Sequence, residues 1–108
     1  MVFVKVAQTK DVDSGKMIMV EIKGEKILIA GHKGNYYAIE GLCSHKMGIL
    51  ADGMLNGKIV TCPLHQSEFD LTSGKVVNVP FDQDVEGEVR DQKKYEVKVE
   101  NGNIFVNI

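Results

Sequence analysis

The chain has 108 residues, 44% of them hydrophobic and 26% charged, a balance that fits one soluble globular domain. A formal net charge of −2 provides no basic face for nucleic acid. No run of about 18 apolar residues is present to span a membrane.

At the N-terminus, "VFVKVA" alternates Val2, Val4 and Val6 against Phe3 and Lys5. That is the period of a strand; a signal peptide would show a basic stretch followed by an apolar run, so the expected location is cytoplasmic. "QTKDVDSG" suits a short helical turn. "MIMVEI" (17–22) and "KILIA" (26–30) predict a hairpin across Lys23-Gly24-Glu25. "NYYAIE" (35–40) follows a turn at His32 to Gly34, and His32, with no cysteine beside it, reads as an exposed turn residue.

Residues 42–77 differ in texture from their flanks. Gly48, Gly53, Gly57 and Gly74, with Gly41 at the border, suggest tight turns between the short strand-like pieces "GKIVTC" and "SEFDLTSGKVV". This span reads as an insert on a base made from 1–41 and 78–108. The acidic stretch "DQDVEGEVRD" (82–91) reads as a solvated loop. In "KKYEVKVENGNIFVNI", Tyr95, Val97 and Val99 alternate toward one face, as do Ile104, Val106 and Ile108 after a two-residue turn at Asn101-Gly102. No segment of helical length shows a 3.6-residue period. The fold class is therefore all-β: a small antiparallel sandwich or barrel base with an inserted subdomain.

Both cysteines and two of the three histidines fall within that insert, as Cys43-x-His45, sixteen intervening residues, and Cys62-x-x-His65. Disulfides are rare where thiols are kept reduced, and a histidine beside each cysteine favours metal ligation. A zinc ion could take all four as Cys₂His₂. A [2Fe–2S] cluster could instead take two thiolates on one iron and two imidazoles on the other. Zinc-finger spacing groups like with like, whereas each loop here mixes the two donor types.

The segment "CSHKMGILADGMLNGKIVTCPLHQSEFDLTSGKV" resembles the paired C-x-H…C-x-x-H motif of the Rieske-type iron–sulfur proteins, including Pro63 and the "F-D-x-x-[ST]-G-K" continuation at Phe69 to Lys75. The resemblance implies that Cys43 and Cys62 hold the buried iron and His45 and His65 the outer one. It also implies a covering loop at "NVPFD", around Pro80. Gln66 stands where the family usually has glycine, which puts the local backbone shape in question. Lys46 is either a positive charge near the exposed iron or a solvated side chain. Met47, Ile49, Leu50 and Leu64 are either an apolar collar or the filling of the insert's small core, and in both cases they lower the local dielectric. The implied function is that of a Rieske-type ferredoxin. Such a protein carries one electron from a reductase to an oxygenase or other acceptor and is not itself an enzyme, because the one remaining histidine, His32, is too few for a mononuclear iron site. The alternatives are a zinc-stabilised binding module and a small accessory subunit of a larger reductase.

Neutral imidazoles in place of two thiolates make an added electron less costly. High-potential members add a disulfide, whose cysteines are absent here, and a serine and a tyrosine that donate to the cluster sulfurs. Ser67 matches the serine, but Phe69 occupies the tyrosine position and has no hydroxyl. A redox titration is therefore expected to give a midpoint in the lower or middle part of the roughly −150 to +300 mV Rieske range, and a value near its top would refute this reading.

Overall fold

The computed structural model describes residues 2–13, 15–43, 48–63, 66–78 and 90–108. The expectations placed on His45, Lys46, Met47, Leu64, His65 and Pro80 lie outside the described residues. The strands, in chain order, are β1 (Phe3–Gln8), β2 (Met17–Ile22), β3 (Glu25–His32), β4 (Asn35–Glu40), β5 (Met54–Asn56), β6 (Ile59–Thr61), β7 (Glu68–Asp70), β8 (Val76–Asn78), β9 (Lys94–Tyr95), β10 (Val97–Glu100) and β11 (Asn103–Asn107). The expected turn in "QTKDVDSG" is a single 3-10 turn at Thr9–Asp11, where the Asp11 carboxylate accepts the Gln8 N–H at 2.9 Å.

Among the described residues three antiparallel sheets form, in the orders β1-β11-β10, β2-β3-β4-β9 and β5-β6-β7-β8. The middle one is the central layer. Ile27, Ile29 and Ala38 pack on one side with Ala7, Ile104 and Val106. Leu28, Ala30 and Ile39 pack on the other with Cys43, Leu50, Val60, Cys62, Phe69 and Leu71. This explains why "KILIA" is a continuous apolar run. A strand covered on both faces has no solvent side to carry polar residues.

The hairpins that build this layer turn on Lys23-Gly24 (φ 53°, 81°) and Lys33-Gly34 (φ 53°, 81°), and β10–β11 turns on Asn101-Gly102 (φ 52°, 76°). Two successive positive φ angles give the type I′ twist that matches paired strands. Two expectations shift here. Glu25 leaves the turn and pairs with Ile22, and His32 leaves its turn to pair with Asn35. His32 is thus part-buried at the end of β3, its ring near Gly57.

Alternation fails at two further places. Lys5 pairs with Phe105 and Ala7 with Ile104, so Val6 is an extra residue in a β-bulge and the alternating pattern is reset there. At Glu96 the chain changes sheets: Tyr95 pairs with Ala38 of β4, whereas Val97 pairs with Val106 of β11. Tyr95 is 5% exposed and Val99 44%, so the face expected to hold Tyr95, Val97 and Val99 together is divided.

Residues 82–89 of the acidic stretch lie outside the described residues, and its end at Arg90 is bound to β4. Arg90 grips Glu40 with two prongs, Nη1 to Oε1 at 2.9 Å and Nη2 to Oε2 at 3.3 Å. The Lys93 main-chain N–H donates to the same carboxylate at 2.6 Å. Burial pushes the Glu40 carboxyl up, but the Arg90 guanidinium and the Lys93 N–H outweigh it and hold it below the usual range. A carboxyl lowered by folding stabilises fully above its unfolded pKa, about 4.3 for glutamate. That contribution is lost as pH falls from there through the folded value. Urea midpoints measured down that window are expected to drop less for Glu40→Gln than for the native chain, and parallel curves would contradict the assignment.

Candidate metal centre

The first loop leaves β4 through Gly41 and Leu42. Leu42 pairs with Ile49 as an isolated bridge, and the Leu50 N–H donates to Gly41 O at 2.9 Å. Inside that bridge the Cys43 N–H donates to Gly48 O at 2.8 Å. The second loop begins where β6 ends. The Cys62 N–H donates to Ser67 O at 2.9 Å, and the Gln66 N–H returns to Cys62 O at 3.0 Å. Each cysteine thus closes its own loop with a bond from its N–H to the carbonyl five residues on. The two sequences, one C-x-H and the other C-x-x-H, do not show this shared closure.

Cys43 and Cys62 are 0% and 1% exposed, belong to one apolar cluster, and are not disulfide-linked. That cluster's other members include Leu50, Val60 and Phe69. Leu50 therefore fills the core, while Ile49 stays 37% exposed. His45 and His65 are two and three positions beyond these cysteines, within the two loops so closed.

Gln66 answers the question raised by the missing glycine. Its φ is 63°, so the left-handed turn that glycine usually supplies is kept by an exposed glutamine. Gly53 is required for proximity rather than for a turn angle: a Cβ there would lie 1.9 Å from Thr61 O, against the strand that delivers Cys62. Gly74 needs both freedoms, with φ 79° and a would-be Cβ 2.3 Å from Gln92 O.

The trailing F-D-x-x-[ST]-G-K run is a folding device. Phe69 anchors in the core, and Asp70 Oδ1 accepts from Thr72 N at 2.8 Å and Thr72 Oγ1 at 2.6 Å. Gly74 N donates to Asp70 O at 2.6 Å, and Lys75 N donates to Ser73 Oγ at 3.2 Å. Burial raises the Asp70 carboxyl, but the Thr72 bonds and Lys58 bring it below its ordinary value.

Ser67 Oγ is fully buried and has no hydrogen-bond partner among the described residues. A buried hydroxyl left in this state costs about 1–3 kcal/mol. An electron-rich sulfur beside Cys62 would supply the acceptor. Two buried thiols, two loops of equal closure and one orphan hydroxyl together fit a sulfur-bridged iron cluster.

The sequence matches the Rieske [2Fe–2S] domain family over residues 2–96. It is 33% identical over 98 residues, 91% of this chain and 88% of the relative, to the ferredoxin component of the naphthalene 1,2-dioxygenase/salicylate 5-hydroxylase systems of Ralstonia sp.. It is 29% identical to the ferredoxin component of the naphthalene 1,2-dioxygenase system of Pseudomonas putida, over 98% of this chain and 95% of that one. Among solved structures, the ferredoxin of carbazole 1,9a-dioxygenase from Nocardioides aromaticivorans IC177 superposes with a TM-score of 0.85 at 26% identity, covering 98% and 97% of the two chains.

A left-handed L-residue costs about 1–2 kcal/mol, and glycine returns part of any gain as unfolded-state entropy. Gln66→Gly is therefore expected to raise stability by roughly 0.5–1 kcal/mol in urea denaturation of the loaded protein. A lowered midpoint would show that the glutamine side chain contributes more than its backbone costs.

Proposed function

This chain belongs to the Rieske [2Fe–2S] domain family and is a one-electron carrier with a Rieske-type [2Fe–2S] cluster; we propose that it passes electrons from a flavin or iron–sulfur reductase to an oxygenase. The naming of both curated relatives as ferredoxin components of dioxygenase systems supports that acceptor. The family match sets aside a zinc-only module, the other chemistry open to two thiolates and two imidazoles.

The ligands in this reading are Cys43, Cys62, His45 and His65. The observation that carries the assignment is the pair of buried cysteines, each at the base of a loop closed by its own N–H, on one apolar floor. When bound, the cluster supplies reversible uptake of one electron. The chain's own residues do the rest. Leu50, Val60 and Phe69 keep water from the cysteine side, which lowers the dielectric there. The buried Ser67 hydroxyl would donate to a sulfur of the cluster and so favour its reduced state, whereas the Phe69 ring offers no second donor. Lys46, Met47, Leu64 and Pro80 belong to the surround of the site in the same reading. The division into a base (1–41 and 78–108) and a cluster-binding insert (42–77) is part of it too, supported by the separate β5-β6-β7-β8 sheet. No described helix is long and apolar enough to cross a membrane, and a cytoplasmic site of action is proposed because both cysteines serve as ligands in this reading, which suits a compartment where disulfides are rare.

Natively purified protein is expected to hold two irons and two acid-labile sulfides, and after dithionite reduction to give an EPR spectrum with the lowered average g of mixed nitrogen and sulfur ligation. Absence of iron and sulfide would end the assignment. Ser67→Ala is expected to keep the cluster and lower the midpoint by about 40 mV, one hydrogen bond of about 1 kcal/mol expressed for one electron.

A further inference from the structure

Gln92 lies in the run Arg90–Lys93 that brings the chain back to the base ahead of β9, and it is 3% exposed. Its Nε2 donates to Glu40 O at 3.1 Å and to Leu42 O at 2.7 Å, so both amide hydrogens are used. Its main-chain N–H donates to Gly74 O at 2.6 Å. Leu42 immediately precedes Cys43, and Gly74 closes the turn that follows β7, in the sheet whose β6 ends one residue before Cys62. One side chain and its own backbone therefore span the approach to the first ligand loop and the sheet that bears the second.

A buried carboxamide is costly unless its hydrogen bonds are made. Here its two donors bracket Gly41, where a would-be Cβ lies 3.1 Å from Lys26 O, so no side chain at that position steadies the run-up to Cys43. We propose that Gln92 is a positioning residue that fixes the first cysteine loop relative to the second, and so governs how firmly and with what geometry the two loops share one cluster. This rests on the ligand assignment above. Arg90 on the same strap holds the Glu40 carboxylate from an exposed position, with its own side chain 64% exposed, and serves as a separable control.

Three variants test the proposal. Gln92→Met keeps the length and removes both donors, Gln92→Asn keeps the donors but shortens their reach, and Arg90→Gln removes the exposed ion pair with Glu40 and the Arg90 bond to Asp91 O while leaving both Gln92 donors in place. Each is loaded, reduced and compared with the native chain by EPR, by urea midpoint, and by the rate at which visible absorbance decays in excess chelator. Gln92→Met is expected to lose its cluster about 10- to 100-fold faster, the range for groups that orient metal ligands, with shifted or broadened g values. Arg90→Gln is expected to change the decay by less than about twofold and to keep the native spectrum, whatever its midpoint. A Gln92→Met protein with native decay and native g values overturns the proposal. If that variant fails to fold, Gln92→Asn decides: altered g values support positioning, and an unaltered spectrum overturns it. A native protein without iron would defeat the ligand assignment instead, so the two failures are distinct.

Discussion

Two main-chain hydrogen bonds, Cys43 N–H to Gly48 O and Cys62 N–H to Ser67 O, set what the rest of the molecule has to provide. Each uses the cysteine's own amide to close its loop, which fixes the cysteine at the loop's root. Such a closure is useful only if both roots rest on something rigid. The support is the outer face of the central sheet, where Leu28, Ala30 and Ile39 meet Leu50, Val60, Phe69 and Leu71.

That support has consequences for the base. A sheet that carries a metal-binding layer on one face must be covered on the other by ordinary packing, and Ala7, Ile104 and Val106 provide it. The β1-β11-β10 sheet is thus the layer packed against the central sheet on the side away from the cysteines. The connections between layers are polar and local to the site's edge. Gln92 reaches two carbonyls, Arg90 and the Lys93 amide share Glu40, and Asp91 Oδ1 accepts from Val76 N at 2.9 Å.

What the sequence disclosed follows the range of the interactions involved. The three two-residue turns, the doubly covered strand and the four-donor pattern are written in neighbouring residues, where composition and period can be read. The bulge at Val6 was not legible, because it depends on where β11 places its hydrogen bonds. Nor was the change of sheet at Glu96, since Tyr95, Val97 and Val99 alternate without a break. Gly53 resembled a turn glycine, but its need for a bare Cα comes from Thr61 O, which approaches only in the folded chain. Gln66 was a departure whose backbone consequence could be judged only from its φ. Gln92 passed unnoticed as one polar residue in a charged stretch, because its acceptors lie 50 and 52 positions earlier.

The three tight turns also bear on the order of assembly. Each pairs strands adjacent in sequence, and hairpins of that kind form within about 1–10 μs. Pairing β1 with β11 must instead bring together residues such as Phe3 and Asn107, a loop closure that grows costlier with length and slows folding. The newly made polypeptide can thus raise the β2-β3-β4 part of its central layer first and add β9 and join its two ends later. The three-residue strands around the cysteines pair only with their neighbours in sequence, over three residues or fewer each, so this layer is as local as the hairpins beneath it and needs only their floor to settle on.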